Sequence, residues 1–448
     1  MNESLSHLPK EPADLFTKPL ARFLRIEAAG AGALLLVTLC AVALANSPWS
    51  VPFLALWEIP VGVNLGAIEY IRSLKHVIND GLMTLFFFIV ALELKREMVM
   101  GELSNPRMAA LSLAAALGGM IVPAGLYFMV ARGSAGAHGW GTVMATDTAF
   151  VIGCLAVLGT RIPINLRLFL LSLAIFDDIG AILVVAIGYG EKLHGTALLL
   201  AGLGIAIVPA LTWIGIRSIP MYFLVGGLIW LALDASGVHP TIAGVILGLL
   251  TPARGWVSDR RLRAILKRVA AHPPGENRSG DTSDRHDLRR ASIATRERLS
   301  PVERLEILLH PWVAFAIMPL FALANAGIPI SLDKLDGAVA TAIVVGLVIG
   351  KPVGVVLFSF LAVCLRLAAR PPDLSWRLLA AGGLLTGIGF TMSLFIAGLA
   401  YGPNLLNSAK LGILVASAIS GVCGLLALLW LTSPGRHGNT TMSQAANT

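Results

Sequence analysis

The sequence predicts an all-α polytopic membrane protein of about twelve transmembrane helices, with one polar insert and one short β-hairpin outside the bilayer. Three observations predict it. Hydrophobic residues make up 56% of the 448 and charged residues only 13%, where an ordinary soluble chain is about 25% charged. Apolar runs of about 17–25 residues recur along the chain, too long for barrel strands of ~9–11 residues. One of these runs, LRLFLLSLAIFDDIGAILVVAIGYG over 166–190, carries two adjacent carboxylates, Asp177 and Asp178, at its centre.

That pair points to function. An Asp at the centre of a spanning helix costs about 2.5–3.5 kcal/mol on insertion scales. Holding a carboxyl of ordinary pKa near 3.9 neutral at pH 7 costs about 4 kcal/mol. The two costs are close, so such a pair sits either neutral with protons or ionised around a cation, as proton-for-cation exchange requires. A solvated acidic face is the plain alternative, but Leu170, Leu171, Ile175, Ile182 and Val184 leave no solvated face to belong to.

Composition excludes other classes. The net charge of +8 reads as the excess of bases in cytoplasmic loops and not as a nucleic-acid surface. Cys40, Cys154, Cys364 and Cys423 all lie in apolar runs without metal-ligand spacing, so they read as small buried side chains. No cofactor pattern and no enzyme motif is present. Residues 1–27 mix acids, bases and three prolines before any apolar run and lack the h-region of a signal peptide, so the first helix is expected to stay in the product.

Taken in order, helix I covers about 28–46, ended by Asn46 and Pro48. Residues 59–70, IPVGVNLGAIEY, alternate Val61, Val63 and Leu65 with glycines between, the pattern of a short β-hairpin. Helix II, about 74–98, carries Asp80 near its start and Glu93, Lys95, Arg96 and Glu97 near its end; Glu93 and Glu97 are four apart and share a face. Helix III covers 107–130. Helix IV, 139–158, holds Thr146-Asp147-Thr148, whose side chains compete for backbone hydrogen bonds, so a break is expected there. Helix V is the Asp177 helix, helix VI covers 196–214, and helices VII (220–233) and VIII (237–250) are short. Helix IX, about 302–324, holds Glu306, His310 and Pro319. Helix X (339–362) holds GKPVG with Lys351, helix XI (378–401) holds LTGIGFTMS, and helix XII covers 408–431.

The expected organisation is a cytoplasmic tail over 1–27, spans I–VIII over 28–250, a polar insert over 251–301, spans IX–XII over 302–432 and a tail over 433–448. Within the insert, 272–287 reads as a disordered linker. Loops after even-numbered helices carry Lys95, Arg96 and Arg107, then Arg161 and Arg167, Arg217, the insert, and Arg366, Arg370 and Arg377; odd loops are offset by acids, as in Asp333, Lys334 and Asp336. Both termini and the insert are therefore expected in the cytoplasm. The basic helix of the insert reads as a solvated face, with contact to anionic lipid as the alternative. Helices III–V (107–190) and X–XII (339–432) are three-span sets of opposite orientation, each with an interrupted middle helix.

The segments ATDTAF, AIFDDIGAI, GLMTLFFFIVALELKRE, SGVHPTIAGVILG, LHPWVAFAIMPLFALANAGI, GKPVGV and GIGFTMSLFIA resemble, in this order, the NhaA family of bacterial sodium/proton antiporters, over about residues 25–432. Paired interrupted helices point to a transporter's ion site, a rule drawn partly from this same family. The resemblance implies an inverted-repeat fold with two broken helices crossing near the midplane, in a bacterial inner membrane. It implies Na⁺ and protons at Asp177 and Asp178, Thr146 and Asp147 at the broken helix, and Lys351 and Asp80 as supporting groups. It implies pH sensing at Glu93, Glu97, Glu306 and His310, and a homodimer joined through 59–70. Electrogenic exchange of Na⁺, with Li⁺ as a second substrate, follows from the same likeness. Two departures stand out: Ile307 follows Glu306 where some members carry a second histidine, and the family's loop is usually far shorter where this chain has 251–304.

The residues themselves leave some roles open. Asp177 and Asp178 point about 100° apart on a helix, so one can hold the cation while the other faces a partner such as Lys351. Oxygen ligands suit a small hard cation. Asp147 either ligates the ion or offsets positive half-helix ends, the second being preferred. Lys351 reads as the only base deep in the last six spans, wanting a carboxylate or negative half-helix ends. His239 and His310 titrate in the range of a pH switch or are plain satisfied polar residues. Glu93 and Glu97 read equally as a sensor or as a cytoplasmic helix end. A sodium-coupled solute symporter needs spare polar groups for its solute; an intramembrane aspartic protease explains neither the adjacent acid nor Lys351; a channel has no fixed exchange ratio.

Overall fold

The computed structural model describes residues 27–65, 68–101, 106–190, 193–214, 219–253, 259–270, 282–329 and 337–433. Residues 1–26 and 434–448 of the two tails, Arg217 and the Asp333–Lys334–Asp336 cluster lie outside the described residues. The elements are α1 (Glu27–Ala45), α2 (Ser50–Leu56), β1 (Pro60–Leu65), β2 (Ile68–Ser73), α3 (Leu74–Val99), α4 (Pro106–Val130), a 3₁₀ segment (Ala137–Val143), α5 (Thr148–Leu158), α6 (Ile164–Gly188), α7 (Gly195–Ile214), α8 (Ile219–Ser236), α9 (Thr241–Leu250), α10 (Asp259–Ala270), α11 (Thr282–Arg298), α12 (Pro301–Asn325), α13 (Ala338–Cys364), α14 (Trp376–Thr386), α15 (Phe390–Ala400) and α16 (Pro403–Leu431). Among the described residues, eight helices are long and apolar enough to cross a membrane, or nine if α14 and α15, bent by 47°, are one span. Ala29–Ala45, Pro220–Ser236 and Thr241–Leu250 are shorter apolar helices.

The hairpin expected over 59–70 is an antiparallel pair reaching Ser73, with Pro60 opposite Ser73 and Leu65 opposite Ile68; residues 66–67 lie outside the described residues. Helix XII begins at Pro403, not 408, because proline is at home in a helix's first turn. Helix VIII begins only at Thr241, after Pro240. The expected linker is shorter than 272–287, since Thr282 already opens α11; the remainder, 272–281, lies outside the described residues. Helices α10 and α11 pack on each other.

The chain forms two compact units. The first comprises described residues of 1–78, 110–181 and 314–448. In it α4 and α13 cross at two glycines: a Cβ on Gly118 would lie 2.2 Å from the Gly354 carbonyl oxygen, and one on Gly354 would lie 2.1 Å from that of Gly118. Small residues allow such close approach where lipid offers no hydrophobic drive. Helix α13 widens to a π turn over Gly346–Gly350. Pro352, lacking an N–H and crowding the preceding turn, is the physical reason, and the turn delivers Lys351 into the packed interior.

The second unit comprises described residues of 79–109 and 182–313. Its short α9 lies tightly on α3: Cβ atoms on Gly244 and Gly248 would come within 2.2 Å of the Thr84 oxygen and 2.6 Å of Ala91 Cβ. Ala201, Val208, Ile229, Leu233 and Ala243 form its core. Helix α12 starts with a capping box at Ser300 and Glu303.

Candidate functional site

The first unit holds the acids. Helix α6 buries Asp177 and Asp178 at 0% and 2% exposure. As neighbours on one helix they face different partners. Asp177 Oδ2 lies 2.6 Å from Lys351 Nζ and accepts from the Thr146 hydroxyl at 2.5 Å. Asp178 Oδ2 accepts from the Thr148 hydroxyl at 3.2 Å. Among the described residues, no donor reaches the buried Oδ1 of Asp177, which leaves an oxygen of the right chemistry for a hard cation.

The expected break in helix IV is present. The 3₁₀ segment ends at Val143, Ala145 to Asp147 are non-helical, and α5 starts at Thr148 with Asp147 as its N-cap. Helix XI is broken between Thr386 and Phe390. The two breaks are stitched together: the Asp147 amide donates to Ile388 O at 2.6 Å and the Thr146 hydroxyl reaches Thr386 O at 3.0 Å. The Asp147 carboxylate accepts from Phe150 N at 3.2 Å and from Thr391 N at 2.8 Å, as well as from the Thr391 hydroxyl. One carboxylate thus receives amides from the first turns of both α5 and α15, where helix dipoles concentrate positive charge. Lys351 complements this from the negative side, since its ammonium donates to Met144 O at the end of the 3₁₀ segment.

The second unit holds the other predicted residues. Asp80 is buried in the π turn Ile78–Leu82, and its carbonyl accepts from Thr84 Oγ1 at 2.5 Å. The acids expected to sense pH gather around Arg96, which bonds Glu97 at 3.0 Å and also pairs with Glu306. Glu93 and His310 both interact electrostatically with Glu306. His239 is buried and shares a 2.8 Å hydrogen bond with Thr241.

Two expectations need correction. The cysteines expected as small buried side chains are not buried: Cys40, Cys364 and Cys423 are exposed and Cys154 is half-buried, because an apolar run suited to lipid need not turn its side chains into the protein. Lys351 is not the only deep base of the last spans: Lys410 is 4% exposed and donates to Asn325 O at 2.8 Å. With helix XII starting at Pro403, Lys410 lies two turns inside it instead of at its end. Thr391 was also missed, although it stands inside the flagged LTGIGFTMS segment; a hydroxyl just after a helix break was the available signal.

Buried acids against interrupted helices and a buried lysine define a membrane ion carrier of the cation/proton class. The chain belongs to the family described as Na+/H+ antiporter 1, whose profile matches residues 21–428. It is 67% identical over 437 residues to a Rhizobium meliloti protein called Na(+)/H(+) antiporter NhaA, covering 98% of this chain and 100% of that one. It is 58% identical to Na(+)/H(+) antiporter NhaA 2 of Acidiphilium cryptum, over 94% of both chains. With Na(+)/H(+) antiporter NhaA 2 of Vibrio vulnificus the identity is 52% over 98% of both.

Proposed function

We propose that this chain is an electrogenic antiporter that expels Na⁺, and with it Li⁺, in exchange for a larger number of entering protons. The observation that carries this is the Lys351–Asp177 pair at 2.6 Å beside a second buried acid. Asp177 holds either the ammonium or a sodium ion, because the two compete for one carboxylate. Sodium arriving at Asp177 displaces Lys351, which gives up a proton, and Asp178 gives up another as it turns to the ion. Two protons for one sodium move one net charge, which gains about 2.3 kcal/mol per 100 mV of membrane potential. Thr146 supports Asp177, and Asp147 holds the facing helix starts together instead of ligating the ion.

The remaining readings belong to the same proposal. The long spans, the bent pair and the three shorter apolar helices together support a twelve-span inverted repeat with both termini and the 251–301 insert in the cytoplasm of a bacterial inner membrane. Asp80 serves as an accessory acid. The Arg96 cluster, with Glu93, Glu97, Glu306 and His310, supports regulation by pH, and the hairpin supports a homodimer. The protease alternative does not gain from the geometry: Asp147 and Asp177 are engaged with helix amides and Lys351, not poised to share a proton as a protease dyad must.

Everted vesicles carrying an imposed proton gradient test the central reading. Na⁺ or Li⁺ is expected to collapse the gradient and K⁺ to leave it standing. Vesicles that ignore Na⁺ from acid to alkaline pH overturn the antiport reading.

A further inference from the structure

The first half of the interrupted IV span is the least self-sufficient piece of the site. Residues Ala137–Val143 are 3₁₀, with Gly139 off helical dihedrals at φ −82°, ψ 15°, and 3₁₀ hydrogen bonds have poorer geometry than α-helical ones. Yet this segment leads directly to Met144, whose carbonyl receives Lys351, and to Thr146, whose hydroxyl reaches Asp177. Support from outside the segment is needed, and two phenols supply it. Tyr127, wholly buried on α4, bonds Gly136 O at 2.6 Å. Its hydroxyl lies 2.6 Å from that of Tyr401, just past α15, and the Tyr401 hydroxyl lies 3.3 Å from Gly139 O. A Cβ on Gly139 would fall 2.1 Å from the Tyr401 hydroxyl oxygen, so the ring occupies the room any side chain there would need.

Two hydroxyl protons serve these three oxygen–oxygen contacts among the described residues, since each phenol donates once. Two donor chains are possible: Tyr401 to Tyr127 to Gly136, or Tyr127 to Tyr401 to Gly139. The distances favour the first in this structure. The second needs only a small approach of the segment to Tyr401 and a swing of both protons. We infer that Tyr127 and Tyr401 are positioning residues for the cation site, a two-position clasp that holds the 3₁₀ segment and so sets how Met144 and Thr146 address Lys351 and Asp177. A carrier that alternates needs its soft segment held in two places, and this clasp has two proton arrangements for them. The inference rests on the antiport reading of the Asp177 site.

Tyr127→Phe and Tyr401→Phe each remove one hydroxyl and keep the ring. In everted vesicles the half-saturating Na⁺ concentration is expected to rise about three- to tenfold in both, the equivalent of one lost hydrogen bond, with the maximal rate little changed. The double variant adds no further rise, because the two hydroxyls act as one chain. In purified protein, amide deuterium exchange over 137–144 is expected to quicken by a similar factor in each variant while α16 exchanges as before. Unchanged sodium dependence and unchanged exchange over 137–144 in both variants overturn the clasp, as does lowered abundance without either effect. Should Tyr401→Phe fail to accumulate, Tyr127→Phe decides alone. A wild-type protein that exchanges no Na⁺ overturns the antiport reading, and amide exchange then still decides the clasp.

Discussion

At the scale of single residues, the protein sets opposite charges in a place where neither is comfortable alone. Breaking a buried ion pair by removing one partner costs about 3–5 kcal/mol, because the survivor is left charged and unpaired. Asp177→Asn and Asp178→Asn are therefore expected to abolish exchange in everted vesicles while the protein still accumulates in the membrane; activity surviving in both would falsify the site assignment. Lys351→Met is expected to lower the unfolding temperature of the purified protein and to change its sodium dependence, since Asp177 loses its ammonium partner. The acids were legible because carboxylates in an apolar run have no cheap explanation. Which of the two faces Lys351 was not, since neighbours 100° apart on a helix carry no mark of what packs against each.

Elements show how close approach and interruption place those residues. The crossing of α4 and α13 leaves no room for a Cβ at Gly118 or Gly354. Gly354→Leu is expected to destabilise by about 1–3 kcal/mol, the usual range for overpacking, seen as a lowered unfolding temperature in detergent. On α3 and α12, the Arg96–Glu306 pair exists only while Glu306 is ionised, so it is present at higher pH and lost as pH falls. Glu306→Gln mimics the protonated state at every pH. It is expected to flatten the pH dependence of exchange while leaving the Na⁺ requirement intact; an unaltered pH profile counts against a sensing role for this cluster. The helix IV break was legible from Thr and Asp at one point in a span. The π turn over Ile78–Leu82 was not, because no proline marks it, and the start of helix XII, expected at 408, lies at Pro403.

On the scale of the whole molecule, the insert and the hairpin are the parts whose purpose lies beyond the ion site. Helices α10 and α11 precede α12 directly, and α12 carries Glu306. Deleting residues 257–298 is expected to shift the pH profile of exchange without lowering its maximum. Removing the β1–β2 hairpin is expected to leave a monomer by light scattering, with exchange retained; an intact dimer sinks the proposed interface.

Taken by itself, the amino-acid sequence determined that this chain lives in a membrane, that it breaks a helix at Thr146–Asp147, and that two adjacent acids lie at the centre of an apolar run. Those conclusions rest on local energies: the length of an apolar run, a side chain's rivalry with its own backbone, the cost of charge in hydrocarbon. The tertiary structure alone decided that Asp147 gathers amides from two helix starts, that Lys351 forms its 2.6 Å ion pair with Asp177, and that two tyrosines 274 positions apart share a hydrogen bond. Such meetings join residues far apart in the chain, and their energies exist only after packing has brought them together.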